Sequence, residues 1–408
     1  MDCSSVVVCD LLRSGGMDPG LAMFIALLLG VVLVTTIPLV TVIFLIWVER
    51  KVAARIQDRL GPNRVGPFGL LQTFADMIKL MTKENITPAN ADRVVYNFAP
   101  LLSVVSVVLI WAVIPFTPYH IGTDLDIGAL YIVAVASLGT LAIMTAGWAS
   151  NNKYALLGAF RVVAQLVSYE VPLVFALLVP IMLAGSMGMQ DIVYAQTGMW
   201  FFFMVPLSAV LLFISSHAET GRGPFDLLEA ESEIIAGFNI EYSGMKFGMF
   251  FAAEFMHVFT NAVLMAVFFF GGWWGPGALD APLLAFLYLG LKSAVIYFIY
   301  LWVRNTFPRV RIDQLLDLNW KFFVPLSIVN VLVVAFVLKI LQELQIAVPL
   351  NASTNFLATI PMTVVLLLVN VAMTYGLLAW LRNRGAKARQ ADIANQHEDI
   401  VVAGAAGD

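Results

Sequence analysis

The sequence is short of the residues that most soluble chemistry needs. It contains two cysteines, Cys3 and Cys9, both in the N-terminal stretch, and four widely spaced histidines, His120, His217, His257 and His397. There is no CxxC and no thiolate cluster, so this chain cannot by itself ligate an iron–sulfur cluster. The absence of GxxxxGK[ST], and of GxGxxG after a strand, argues against nucleotide binding. Charge is scarce too: 12% of residues are Asp, Glu, Lys or Arg, against about 25% in an average soluble domain. No internal repeat of the kind that marks many secondary transporters is visible, which weakens a transporter reading. The opening stretch MDCSSVVVCDLLRSGGMDPG has no basic n-region. The apolar run after it is longer than a signal-peptide core, so the first span is expected to be retained.

Apolar sequence is what the chain has in abundance, at 60% of its residues. Nine segments approach the length of about 20 residues that a membrane span needs: 21–48, 98–117, 128–148, 162–184, 199–216, 247–271, 281–303, 322–343 and 355–381. They are continuous rather than alternating, and in hydrocarbon only helices or closed barrels satisfy the backbone, so helices are expected. The chain therefore reads as an all-α polytopic membrane protein, a single membrane domain over 1–381 followed by a polar tail over 382–408. Of the 23 Lys and Arg, 20 fall in the segments 49–97, 149–161, 217–246, 304–321 and 382–408, which all lie on one side of the nine-span topology. The positive-inside rule puts that side in the cytoplasm and the N-terminus outside. Trp47, Trp148, Trp200, Trp273, Trp274, Trp302, Trp320 and Trp380 fall near segment ends, as an aromatic belt requires. The tail, charged and without an apolar run, reads as a mobile or docking segment rather than a domain.

Three features of the sequence carry chemistry. In segment 49–97 the Gly-Pro pairs of ERKVAARIQDRLGPNRVGPFG break any helix. After them Leu70, Phe74, Met77, Ile78 and Met81 repeat at helical spacing. This predicts an amphipathic helix lying in the membrane interface, either as a surface anchor or as the floor of a lipid-accessible cavity. The stretch from Glu219 to Glu254 holds seven carboxylates (Glu219, Asp226, Glu229, Glu231, Glu233, Glu241, Glu254) against Arg222 and Lys246. A solvated first helical turn explains Asp226 and Glu229. It explains Glu231 and Glu233 poorly, because like charges three and four apart repel. A docking surface and a proton-handling cluster remain equal readings. Finally, Glu170, Glu254 and Lys292 lie inside apolar segments, where an ionisable group marks a function or a buried partner. His257, three residues after Glu254, shares its face and either relays a proton or simply hydrogen-bonds within the bundle.

Four long stretches then carry a resemblance: WVERKVAARIQDRLGPNRVGPFGLLQTFADMIKLMTKE, GWASNNKYALLGAFRVVAQLVSYEVPL, AETGRGPFDLLEAESEIIAGFNIEY and RVRIDQLLDLNWKFFVPLS. In order and in hydrophobic spacing, from about 21 to 345, they closely resemble the H-subunit family of bacterial NADH-quinone oxidoreductase, respiratory complex I. The resemblance implies a membrane-arm subunit of the bacterial cell membrane. Such a subunit contacts other membrane-arm subunits, the lipid bilayer and the peripheral subunits of the quinone site, and contacts no nucleic acid. It implies quinone as substrate, no cofactor on this chain, and FMN and iron–sulfur clusters on partner subunits. It assigns proton coupling to Glu170, Glu219, Asp226, Glu229, Glu231, Glu233, Glu254 and Lys292. It places Glu49, Arg50, Phe68, Phe74, Asp76, Arg161, Arg222, Arg304, Arg309 and Arg311 at the quinone chamber or the docking face. Three departures stand out: His217 beside Glu219, glycine before Arg222 where asparagine is usual, and a ninth span with a tail, beyond the shorter mitochondrial pattern. Related membrane-bound hydrogenase or formate hydrogenlyase subunits, a stand-alone cation or proton antiporter, and a purely structural anchor are the competing readings.

Overall fold

The computed structural model describes residues 18–119, 122–226, 237–346, 350 and 356–405. Cys3, Cys9 and the acidic run Glu229, Glu231 and Glu233 lie outside them. The regular structure of the described residues is all helical, with no β-strand. Eight of the helices are long and apolar enough to cross a membrane.

Helix α1 (Pro19–Ile56) is started by the Asp18 side chain, which accepts the Gly20 N–H at 3.2 Å, and by Pro19 at its first position. At 1.5 Å per residue it is about 57 Å long, far more than the roughly 30 Å of hydrocarbon. The ERK motif, expected to open a loop, therefore sits on the last turns of this helix, which ends ahead of the Gly61-Pro62 pair. A tight turn at Pro67–Gly69 follows, then the short helix α2 (Gln72–Thr82). α3 (Arg93–Ile110) is capped by Asp92, and α4 (Gly128–Ala149) matches its predicted segment almost residue for residue. α5 (Lys153–Ala184) starts ahead of the apolar run because Asn152 caps it, and stops at Gly185, whose φ of 70° only glycine adopts freely.

The segment expected at 199–216 is present but broken. After the short α6 (Met189–Tyr194), α7 (Phe201–Met204) and α8 (Pro206–Glu219) are separated by Val205, which leaves the helical region because Pro206 follows it. α9 (Gly244–Phe269) and α10 (Pro282–Thr306) are continuous. α11 (Ile312–Leu318) joins α12 (Val324–Glu343) through a widened π-turn at Asn319–Phe323. There the buried Asn319 amide donates to the Ser168 carbonyl at 2.6 Å. α13 (Phe356–Ala405) continues past the last apolar residues through most of the polar tail.

α9 is the most buried of the long helices and the centre of the bundle, packing on α1, α2, α3, α8 and α10. Its own Phe268 and Phe269 are fully buried, as are Tyr169, Phe201, Trp273 and Tyr300, while α1 turns an almost entirely exposed apolar surface outward. A surface of that size is at home only in lipid or against another apolar protein.

Candidate functional site: a buried carboxylate–guanidinium network

Helices α1, α5, α9 and α10 and one loop converge on the surroundings of Arg222. Its loop is held in place from three directions. The Gln165 amide of α5 donates to the Ala218 and Phe225 carbonyls at 2.7 and 2.9 Å. His217 Nε2 meets the Gly223 carbonyl at 2.7 Å. The Val310 N–H, beyond α10, donates to the Pro224 carbonyl at 3.0 Å. Gly221, the glycine in place of asparagine, adopts a φ of 64°. The loop start is therefore strapped down, although glycine in place of asparagine by itself implies a more flexible start. His217 points at Gly223 and stacks on Tyr300, away from the site where it was expected to join Glu219.

Held this way, the Arg222 guanidinium bridges two acids: Nη1 donates to Glu49 Oε2 at 2.5 Å and Nε to Glu254 Oε1 at 2.6 Å. It lies 4.0 Å over the Phe255 ring, a further attraction for a cation. The second Glu49 oxygen pairs with Arg304 of α10, and Tyr297 donates to Glu49 Oε2 at 3.4 Å. The side chains of Arg222, Glu49 and Glu254 are 2%, 9% and 11% exposed. Charges buried to this degree persist only because each satisfies the other, since desolvation costs several kcal/mol per ion.

A second polar group continues from the first. Glu219, at the end of α8, lies 3.9 Å from His257 Nε2 and 3.5 Å from the Asn261 amide. A cavity of about 70 Å³ opens between α3, α4, α5 and α9, lined by Glu219, Glu254, His257, Thr140, Ser103 and Ser106 among others. It is large enough for several waters. From its lining, the Thr140 hydroxyl donates to Glu170 Oε1 at 3.1 Å. Glu49, Arg222, Glu254, Glu219, His257 and Glu170 thus form a stepwise polar path through an otherwise apolar bundle. Sequence reasoning missed Asn261, Thr140 and Tyr297. For Asn261 the signal was available: residues 254, 257 and 261 fall at i, i+3 and i+7 on one face of α9.

The other predicted residues lie elsewhere. Lys292 is not paired with a carboxylate in this network. Its Nζ donates to the Gly272 and Trp274 carbonyls at 2.9 and 2.7 Å and lies 5.0 Å over the Trp200 ring, which caps the loop after α9. Arg161 and Asp226 are half-buried, the latter at the edge of the described residues, and Arg309 and Arg311 are exposed. Phe68 and Phe74 are exposed with Leu71, Ile78 and Met81, so α2 presents the predicted apolar stripe outward. Arg50 reaches from α1 to Asp76 of α2 at 2.5 Å, and the Trp47 indole donates to the Phe68 carbonyl at 3.2 Å, fixing α2 against α1.

Partial burial pushes the Asp76 carboxyl up, but the Arg50 hydrogen bond and charge, with help from Lys79 and Gln72, outweigh it and hold the group below its ordinary value of 3.8. A depressed folded-state value means the contribution is present above about pH 4 and lost as pH falls through the folded value. Both side chains are partly solvated, so Asp76→Asn is expected to cost under about 1 kcal/mol at pH 7. Thermal unfolding in detergent over a pH series checks this: the variant and parent curves should differ at pH 7 and draw together as pH falls below about 4.

Fold and site together define a polytopic helical membrane protein built around a buried network of carboxylates and guanidinium groups. The family model described as NADH dehydrogenase matches residues 29–335, and the chain belongs to that family. It is 45% identical over 355 residues to the NADH-quinone oxidoreductase H subunit of Dehalococcoides mccartyi strain CBDB1, covering 87% of this chain and 94% of the relative. To the H subunit of Geobacillus kaustophilus it is 45% identical over 322 residues, covering 77% and 94%. To that of Paramagnetospirillum magneticum it is 43% identical over 328 residues, covering 80% and 96%.

Proposed function

We propose that this chain is the H subunit of a bacterial NADH-quinone oxidoreductase, in the cell membrane with its N-terminus outside. In this reading it forms part of the quinone chamber at the junction with the peripheral arm, and couples quinone reduction to proton translocation. FMN and the iron–sulfur clusters that deliver electrons sit on partner subunits. The observation that supports this most is the continuity of Glu49, Arg222 and Glu254 with the cavity holding Glu219 and His257.

Charges that satisfy one another at low dielectric respond strongly to a change of charge beside them. Arg222 pairs with Glu49 and Glu254, while among the described residues Glu219 meets an amide and an imidazole. Glu219, like Glu170, is therefore an acid of this row that no arginine holds in the way Glu49 and Glu254 are held. Coupled carboxylates of this kind titrate as a set, so a proton gained at one end alters the next. The exposed stripe of α2, next to Phe68, would border the lipid side of the chamber.

The test is purification of an affinity-tagged chain from gently solubilised membranes. FMN and iron–sulfur subunits should co-purify, and the material should reduce a quinone analogue with NADH. Electron flow supported only by hydrogen or formate would assign the chain to a hydrogenase relative. A chain that purifies alone and moves cations in liposomes would overturn the proposal.

A further inference from the structure

His257 is not explained by the ion-pair network. It is one turn beyond Glu254 and one before Asn261 on a face of α9 that is otherwise apolar. A histidine that serves packing finds a fixed hydrogen-bond partner, as His217 does at the Gly223 carbonyl. His257 makes no hydrogen bond among the described residues. Its ring faces the cavity instead, with Nε2 3.9 Å from Glu219 Oε1. Glu170, held by Thr140 of the cavity lining, is within electrostatic reach of the same ring. The imidazole therefore shares this cavity with the acid at the end of α8 and is within electrostatic reach of the one in the middle of α5, as Glu219 is itself.

We propose that His257 carries a proton between Glu219 and Glu170 across this cavity. A proton leaves the Glu219 carboxyl for Nε2, through one bridging water or after a shift of about 1 Å, giving a carboxylate beside an imidazolium. The imidazolium then gives a proton to the Glu170 carboxylate and returns to neutral. The net change is one proton moved from Glu219 to Glu170, with no charge left on the ring. The ionisable groups around the ring fit this. α8 presents Glu219, α5 presents Glu170, and Glu254 on its own helix is engaged by Arg222. α1 presents Glu49, already paired with Arg222 and Arg304, and α10 presents Tyr297, which donates to Glu49. α3 and α4 offer the hydroxyls of Ser103, Ser106 and Thr140 to the cavity.

This inference rests on the proposed coupling role, and the experiment separates the two. In the intact tagged complex, His257→Gln keeps a polar side chain but cannot take up a proton, and His257→Ala leaves room for added imidazole. NADH-driven proton translocation should fall at least about tenfold in both, while NADH oxidation by ferricyanide is unchanged. Imidazole should restore the alanine variant with a dependence on pH between about 6 and 8. A His257→Gln complex that translocates protons like its parent across that range would overturn the proposal. If neither variant assembles, the unmutated complex with 15N-labelled histidine is examined by infrared difference spectroscopy on quinone reduction. An imidazole band supports the proposal and its absence overturns it. An unmutated complex with no NADH-quinone activity is a different result, and removes the subunit reading itself.

Discussion

Arg222→Leu is expected to leave little assembled protein in the membrane. The substitution removes the cation shared by Glu49 and Glu254, and strands Glu254, which is 11% exposed, without its guanidinium. Removing one partner of a buried ion pair costs about 3–5 kcal/mol, because the other charge stays behind uncompensated. That is comparable with the whole net stability of many domains, about 5–15 kcal/mol. Arg222→Lys should do little better. A guanidinium reaches both carboxylates in one plane through Nη1 and Nε and stacks on Phe255, whereas an ammonium is a point charge. Adding Glu254→Gln to Arg222→Leu should recover part of the loss, since Glu49 still has Arg304 and the stranded acid is gone. The measurement is the yield of tagged chain in the monodisperse detergent-solubilised fraction, with its thermal transition. A leucine variant that accumulates and melts like its parent would show that the network does not hold the fold.

The fold was legible where one helix meets one apolar run with its own caps. The matches at 128–148 and in the stripe of α2 follow from composition and spacing alone. Boundaries slipped where polar residues continue a helix beyond the hydrocarbon. ERKVAARI stays helical to Ile56, and α5 begins after Asn152 rather than at the apolar run. Hydropathy reports solubility in lipid and says nothing of where the helical hydrogen bonds stop. The break at Val205 was foreshadowed by Pro206, but the apolar run hid it.

The site was legible as a set of residues and not as an arrangement. Arg222 and Glu49 are far apart in the chain, and only tertiary packing makes them partners. Grouping Glu49 and Arg222 with the quinone chamber or docking face, and Glu254 with coupling, gave separate roles to groups that the fold joins. Lys292 illustrates the reverse. An intramembrane lysine next to so many acids invites a salt bridge, yet backbone carbonyls of Gly272 and Trp274 satisfy it. Carbonyl acceptors freed at a helix end leave no mark in sequence.

Glu219→Gln and Glu170→Gln should abolish most proton translocation and leave assembly intact. Among the described residues, neither acid is held by an arginine in the way that Glu49 and Glu254 are. Glu219 touches the Asn261 amide and the His257 ring, and Glu170 accepts from the Thr140 hydroxyl. Glutamine preserves the acceptor oxygen for Asn261 and Thr140 and matches the volume, so packing is retained. It cannot bind or release a proton. Groups that transfer protons in a reaction contribute about 10²–10⁴ in rate. A fall of about 100-fold in NADH-driven translocation is therefore expected, with normal amounts of complex and normal ferricyanide reduction. Glu254→Gln serves as the contrast. It uncouples Arg222 from one of its acids and should lower stability as well as activity, because a buried guanidinium loses a charged partner. If Glu219→Gln and Glu170→Gln both pump normally in vesicles, the polar path across the cavity is only a packing feature. If they lose pumping and stability together, the two acids act as anchors, like Glu49.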